Sequence, residues 1–155
     1  TGTKDATTFL RGDNTFAAAG GGKLVQLVQT TTTSTDTISG GTFGASTITA
    51  DITPTSSSNK VLIFASSTLY ADTNTAQAKA TIYRGSTNLA ADNFANNYNS
   101  AGKTITPFNM QFLDSPNTTS QTTYKVYGST NSGNAVFNGP AGATGVMTLM
   151  EIEAW

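Results

Sequence analysis

From Lys23 onward no stretch of this chain holds a helical hydrophobic period over ten residues. It breaks instead into apolar runs of five to ten residues, separated by clusters of Ser, Thr, Asn, Gly and Pro. That pattern removes the helix as an organising element. Composition points the same way. The chain carries 30 Thr, 14 Ser and 13 Asn, 57 of its 155 residues, while Glu occurs only at Glu151 and Glu153 and Arg only at Arg11 and Arg84. Helical bundles draw on Ala, Leu, Glu, Lys and Arg, whereas β-branched Thr and the aromatics suit a pleated surface. Strands are expected over about 23–31, 42–53, 60–70, 76–84, 104–113, 121–128, 134–138 and 146–154. About eight short strands in a chain of one-domain length give an all-β fold, an antiparallel β-sandwich or a barrel.

Alternation assigns the faces. Ala76, Ala78, Ala80 and Ile82 alternate with Gln77, Lys79, Thr81 and Tyr83, so one side of that strand meets a core and the other meets water. Ile48, Ala50 and Ile52 form a second inward set, Phe108, Met110 and Phe112 a third, and Tyr124 and Val126 a fourth. Pro107 has no N–H to give a ladder, which puts its strand at an edge or a bulge. The run Arg84-Gly85-Ser86-Thr87-Asn88 reads as a hairpin turn, with Gly85 supplying positive φ.

Three strands break the one-sided rule. Val61-Leu62-Ile63-Phe64-Ala65, the pairs Leu24-Val25 and Leu27-Val28, and the pairs Val146-Met147 and Leu149-Met150 place apolar groups on both faces. Strands of that kind need cover on both sides, and this chain has no helices to give. Burying one such side chain is worth about 1.5–3 kcal/mol, so leaving several wet is costly and sticky. A second copy is the economical cover. The expectation is a homo-oligomer packed through sheet faces, with Leu24, Leu62, Phe64, Met147 and Leu149 at the contact; the alternative is a sheet curled so tightly that both faces are internal.

Charge and residue inventory exclude several functions. Eight basic and nine acidic residues give a net charge of -1, with no basic cluster, which removes the electrostatic drive toward nucleic acid. No apolar run approaches the length of a membrane span, so no membrane insertion is expected, and the N-terminus lacks a secretory pattern. With no Cys and no His, disulfides, thiolate chemistry and the commonest general base are missing. No cofactor, no metal and no catalytic residue is expected. The chain opens on Thr1 rather than Met, as a processed chain or a piece of a longer one does.

Residues 1–22 read differently from the rest: a polar start, the mixed motif Phe9 to Phe16, then alanines and three glycines. This segment is expected to be an arm with a flexible joint, and 23–155 the sandwich domain.

The motif Thr7-Thr8-Phe9-Leu10-Arg11-Gly12-Asp13-Asn14-Thr15-Phe16 resembles the TTFLRGDGTW-type element found before C-terminal β domains of phage tail-fibre and other virion fibre proteins. Asn14 and Phe16 stand where Gly and Trp are more usual. Beyond the motif, nearly the whole chain is similar to those fibre heads: Gly22-Lys23-Leu24-Val25-Gln26, Asp51-Ile52-Thr53-Pro54, Ser58-Asn59-Lys60-Val61-Leu62-Ile63, Tyr83-Arg84-Gly85-Ser86-Thr87, Ser115-Pro116, Thr123-Tyr124-Lys125-Val126 and Thr148-Leu149-Met150-Glu151-Ile152. The resemblance implies a jelly-roll type of sandwich, a homotrimer and a place on the surface of a virion. It further implies attachment to other virion proteins through an arm bearing Phe9, Leu10, Arg11, Asp13 and Phe16, with distal loops touching a host-surface glycan. Such proteins are non-enzymatic. Two other functions stay open: a capsid-decorating fibre or cement protein, and, from another class, a carbohydrate-binding module or polysaccharide hydrolase.

Each chemical motif also has a plainer reading. Arg11-Gly12-Asp13 spells an integrin-binding tripeptide, but three residues are too few to carry that function, and a turn at Gly12 explains them. Asp72-Thr73-Asn74 opens like a calcium loop yet lacks the later acidic ligand. Asp36, Asp51, Asp72, Asp92 and Asp114 lie in or beside expected turns, where Asp bonds the local backbone. Asn117-Thr118-Thr119 fits the N-glycosylation pattern, relevant only to a glycosylating source. The segment 92–103, with Phe94, Asn96, Asn97, Tyr98 and Asn99, shows no strand period and is expected to be a long loop. Tyr faces and Asn amides are chemistry that sugars use, so these residues, with Tyr70 and Asp72, are the ligand-binding candidates. Phe137 beside Asn138 is a weaker aromatic tip. Trp155 is expected to seal the core or the subunit seam.

Overall fold

The alternation of small apolar and polar residues along 76–84 produces a strand with one buried face, and the same logic builds the rest of the fold. The computed structural model describes residues 8–10, 12, 16–18, 23–139 and 143–154. Two short strands near the start, β1 (Thr8–Leu10) and β2 (Phe16–Ala18), pair with each other as an antiparallel ladder. The domain strands are β3 (Leu24–Thr32), β4 (Asp36–Ser39), β5 (Gly44–Ile52), β6 (Lys60–Ala71), β7 (Ala76–Arg84), β8 (Thr87–Asn88), β9 (Ala95–Asn99), β10 (Thr106–Asp114), β11 (Thr122–Thr130), β12 (Asn134–Phe137) and β13 (Gly145–Ile152).

All eight expected strands form, within a few residues of their expected ends. Two antiparallel sheets pack face to face as a β-sandwich, with no helix among the described residues. In the first sheet β6 is the spine. β10 runs along one flank, and the other flank takes β13 over Lys60–Ser66 and β12 over Leu69–Ala71. β3 and β4 in turn flank β13 and β12. The sheet is thus four lines wide, two of them broken: β3/β4, β12/β13, β6 and β10. The second sheet is also four lines wide, β5, β11, β7 and a broken edge made of β8 and β9.

Besides β1 and β2, three elements of the domain were not expected. β9 occupies the middle of the segment read as a loop, pairing Ala95–Asn99 with Ala80–Ala76. β4 and β8 are short edge pieces with almost no apolar alternation. Pro107 lies on β10, an edge strand that pairs with β6 alone among the described residues, the kind of position to which a residue without an N–H is confined. The turn after β7 has Gly85 at φ 56°, as the hairpin requires.

Between the sheets lie Val61, Ile63, Ala65, Leu69 and Ala71 of β6, Phe108 and Met110 of β10, and the inward sets of β5, β7 and β11. Phe108 meets Phe137 edge-on, with ring centroids 5.9 Å apart. Met147 and Leu149 are fully buried in this core, which corrects their expected place at a subunit contact. The outward residues of β13 are Val146, Thr148, Met150 and Ile152.

The sandwich has two unlike ends. The chain enters at Lys23 and leaves past Glu153 side by side, Glu153 N donating to Lys23 O at 2.9 Å. The connections 53–59, 85–86 and 115–121 share that end. The opposite, distal end gathers 40–43, 72–75, 100–105 and 131–133, tied to each other and to strand ends: Thr130 N to Gly40 O, Asn131 N to Gln77 O, and Gly102 N to Asn74 Oδ1.

The Asp side chains bond chiefly across the fold rather than within their own turns, which corrects the local-turn reading. Asp36 accepts from Thr47 N and Oγ1, and Asp51 from Gln121 and Thr123. Asp72 accepts from Asn134, Asp92 pairs with Lys79, and Asp114 pairs with Arg84. At the entry end buried Glu151 takes Thr55 N and Oγ1, Asn59 Nδ2 and Gln26 Nε2 at 2.5–2.8 Å, joining β13, β3 and the 53–59 connection.

Candidate functional site at the distal end

The ligand-binding candidates do collect toward the distal end, but the fold uses most of them. β9 alternates, so Asn97 and Asn99 point inward while Asn96 and Tyr98 point out. Asn97 Nδ2 donates to Thr104 O at 3.0 Å and Thr106 Oγ1 at 2.7 Å. Asn99 Nδ2 donates to Ala71 O and Thr73 O, both at 3.2 Å. The two amides clamp the loops 72–75 and 100–105 onto the sheet edge. Their Oδ1 atoms are buried without a protein partner. Phe94 is no ligand platform either: it packs against the core, edge-on to Phe112 at 5.6 Å.

Asp72 is likewise committed. It accepts from Asn134 N at 2.7 Å, Asn134 Nδ2 at 2.6 Å and Thr73 Oγ1 at 3.0 Å. The Asn134 side-chain bond, then its backbone N–H, hold the carboxyl below its ordinary value. Asp72 therefore locks loop 72–75 to β12 and stays charged.

What remains presented is Tyr98, 61% exposed, Asn96, and one edge of half-buried Tyr70. Lys103 lies over Tyr70, its Nζ 5.9 Å from the ring centroid. Lys103 was missed in the sequence, although it is the sole charge between Asp92 and Asp114. Gln77, directly across from Tyr98, was read only as solvated. The arrangement offers an exposed ring, amides and one ammonium: chemistry for hydrogen bonding and stacking. Among the described residues no three carboxylates gather into a metal site.

The remaining candidates lie elsewhere. Phe9 and Leu10 lie on β1 and Phe16 on β2, with Leu10 opposite Phe16 in the register. Arg11 and Asp13 lie outside the described residues, as does Trp155. Leu24 and Phe64 face out, 51% and 38% exposed, and Leu62 is half-buried on the same outer face. The register lines up Leu27, Met150, Leu62 and Leu113 directly across β3, β13, β6 and β10. Leu27, read in the sequence as part of a two-sided strand but not as a contact residue, and Leu113, not named there, are 52% and 49% exposed and complete this aliphatic row.

Compared with known protein families and with curated proteins, the chain matches no family model and no curated protein.

Proposed function

We propose that this chain is the head domain of a virion fibre, a homotrimer of jelly-roll sandwiches that attaches to a host-surface glycan and is non-enzymatic. The observation that carries the reading is the aliphatic row on the outer face of the first sheet. Leu27, Met150, Leu62 and Leu113, with Phe64 and Leu24 beside them, form a patch without charge at its centre. Such a patch on a lone domain is a liability, and two further copies around an axis remove it from water.

The strand order supports the jelly-roll assignment. The first sheet runs β3, β13, β6, β10 and the second β5, β11, β7, β9. Early and late strands therefore alternate in both sheets, and the chain crosses between them at β4–β5, β5–β6, β6–β7, β9–β10, β10–β11 and β11–β12, as two interleaved Greek keys do. Chain entry at one end and free loops at the other suit a domain carried on an arm, residues 1–22, that joins it to other virion proteins. Trimer valency then raises weak single contacts to useful avidity. The hydrogen-bonded state of Asp36, Asp51, Asp72, Asp114 and Glu151 favours adhesion over hydrolysis.

The test is saturable binding of the labelled protein to intact bacterial cells, across a panel of strains. The proposal expects binding to at least one strain, reduced by periodate oxidation of surface sugars. Binding to none, or binding indifferent to periodate, overturns it.

A further inference from the structure

The outer face of the second sheet differs in kind from that of the first. Tyr83 on β7 and Tyr127 on β11 stack with ring centroids 4.0 Å apart and planes 24° apart. Phe43, just before β5, leans over them at 6.3 Å from Tyr83, tilted by 55°. All three are half-buried, so part of each ring meets water. The β5–β11 register is irregular between Lys125 and Tyr127, a bulge that sits beside Tyr127.

Phe43 also walls a groove of about 230 Å³, lined further by Gln77, Lys79, Asp92, Ser129 and Asn131. Lys79 and Asp92 pair at 3.3 Å, so the groove is neutral as a whole while keeping donors and acceptors in its wall. Three of its residues, Gly41, Phe43 and Asn131, belong to the distal connections.

We propose that this groove and the aromatic strip beside it form a binding site for a neutral oligosaccharide. The weakly positive C–H face of a pyranose stacks on the water-facing parts of Phe43 and of the tyrosine pair, whose rings cover one face of each other. Its hydroxyls, each both donor and acceptor, match an amide, a carboxylate and an ammonium set side by side. The site lies on the opposite sheet from the aliphatic row, so assembly through that row leaves it open. Only the choice of ligand class rests on the adhesion reading.

The experiment is a ¹⁵N NMR titration of the whole chain with chitotetraose and with maltotetraose to millimolar concentration. The site predicts shifts at the amides of Phe43, Gln77, Lys79 and Asn131 for at least one sugar. Phe43→Ala should weaken that binding about tenfold, and Lys79→Gln, which leaves the rings in place, should weaken it while the spectrum stays folded. Gln111→Ala, on the outer face of the first sheet, should leave it unchanged. No shift with either sugar, or shifts confined to 96–103, overturns the proposal. Cell binding without shifts at this face leaves the adhesion reading standing and removes this one; shifts here without cell binding do the reverse.

Discussion

Arg84 on β7 donates from one nitrogen, Nη1, to both carboxylate oxygens of Asp114 on β10, each at 2.8 Å, and so ties the second sheet to the edge strand of the first. The Tyr124 hydroxyl donates to the same carboxylate at 2.7 Å. Burial, with the Asp114 hydrogen bond behind it, pushes the Tyr124 phenol far above its ordinary value, so Tyr124 remains a neutral donor.

This pair is asymmetric, and the asymmetry is testable. Asp114 is buried, while the Arg84 side chain is 30% exposed and can rehydrate. Arg84→Ala strands a buried carboxylate and should cost about 3–5 kcal/mol; Asp114→Asn keeps a partner for Tyr124 and should cost about 1–3 kcal/mol. Urea denaturation of the two variants measures the difference, and equal costs would contradict the burial argument.

Acid should loosen the entry end. Burial pushes the Glu151 carboxyl up, but bonds from Asn59, Gln26 and Thr55 outweigh it and hold it below its ordinary 4.5. Between the folded and unfolded values the unfolded chain binds more protons, so stability rises with pH there. Its contribution is complete above the unfolded value and is lost as pH falls through the folded one. Glu151→Gln should lower Tm at neutral pH, by loss of about 1–3 kcal/mol, and should flatten the acid slope. A Tm profile of both proteins over about pH 3–7 checks this, and an unchanged slope in the variant counts against it.

Gly128 should not tolerate a side chain. A Cβ built there lies 2.7 Å from Phe137 Cζ and 3.3 Å from Ile38 Cδ1, inside the closed core. Gly128→Ala should cost about 1–3 kcal/mol through overpacking. At Gly85 nothing lies within 4 Å, and only the positive φ opposes alanine, at about 1 kcal/mol. Chemical denaturation of both should rank Gly128→Ala as the more damaging.

The fold was legible wherever one face of a strand was apolar and the other polar, as on β7 and β10. It was hidden where polarity ran the other way. On β9 the buried face is Asn97 and Asn99 and the exposed face includes Tyr98, an inverted alternation that hydrophobicity reads as loop. On β13 both faces are apolar, so the face could not be decided by parity. Glu151 shares the row of Met147 and Leu149, and a charge there argues for an outward row until its four hydrogen bonds are seen. The candidate loop was legible as Asn- and Tyr-rich. That Asn99 and Asp72 are consumed by clamping neighbouring loops depends on contacts far apart in the chain, and that Asn97 is consumed depends on the turn that brings Thr104 and Thr106 back beside it.

Core and contact residues should separate by mutation. Met147→Ala and Leu149→Ala should each cost about 2–5 kcal/mol of stability. Leu113→Asp and Leu27→Asp, at exposed positions, should leave the fold intact and weaken self-association. Thermal melts beside size measurements distinguish the two effects.

The native mass in solution across a dilution series, by light scattering or native mass spectrometry, tests the central claim most directly. The account predicts a species of three times 16.0 kDa that persists on dilution and dissociates in Leu27→Asp/Leu113→Asp. A monomer at every concentration would contradict it.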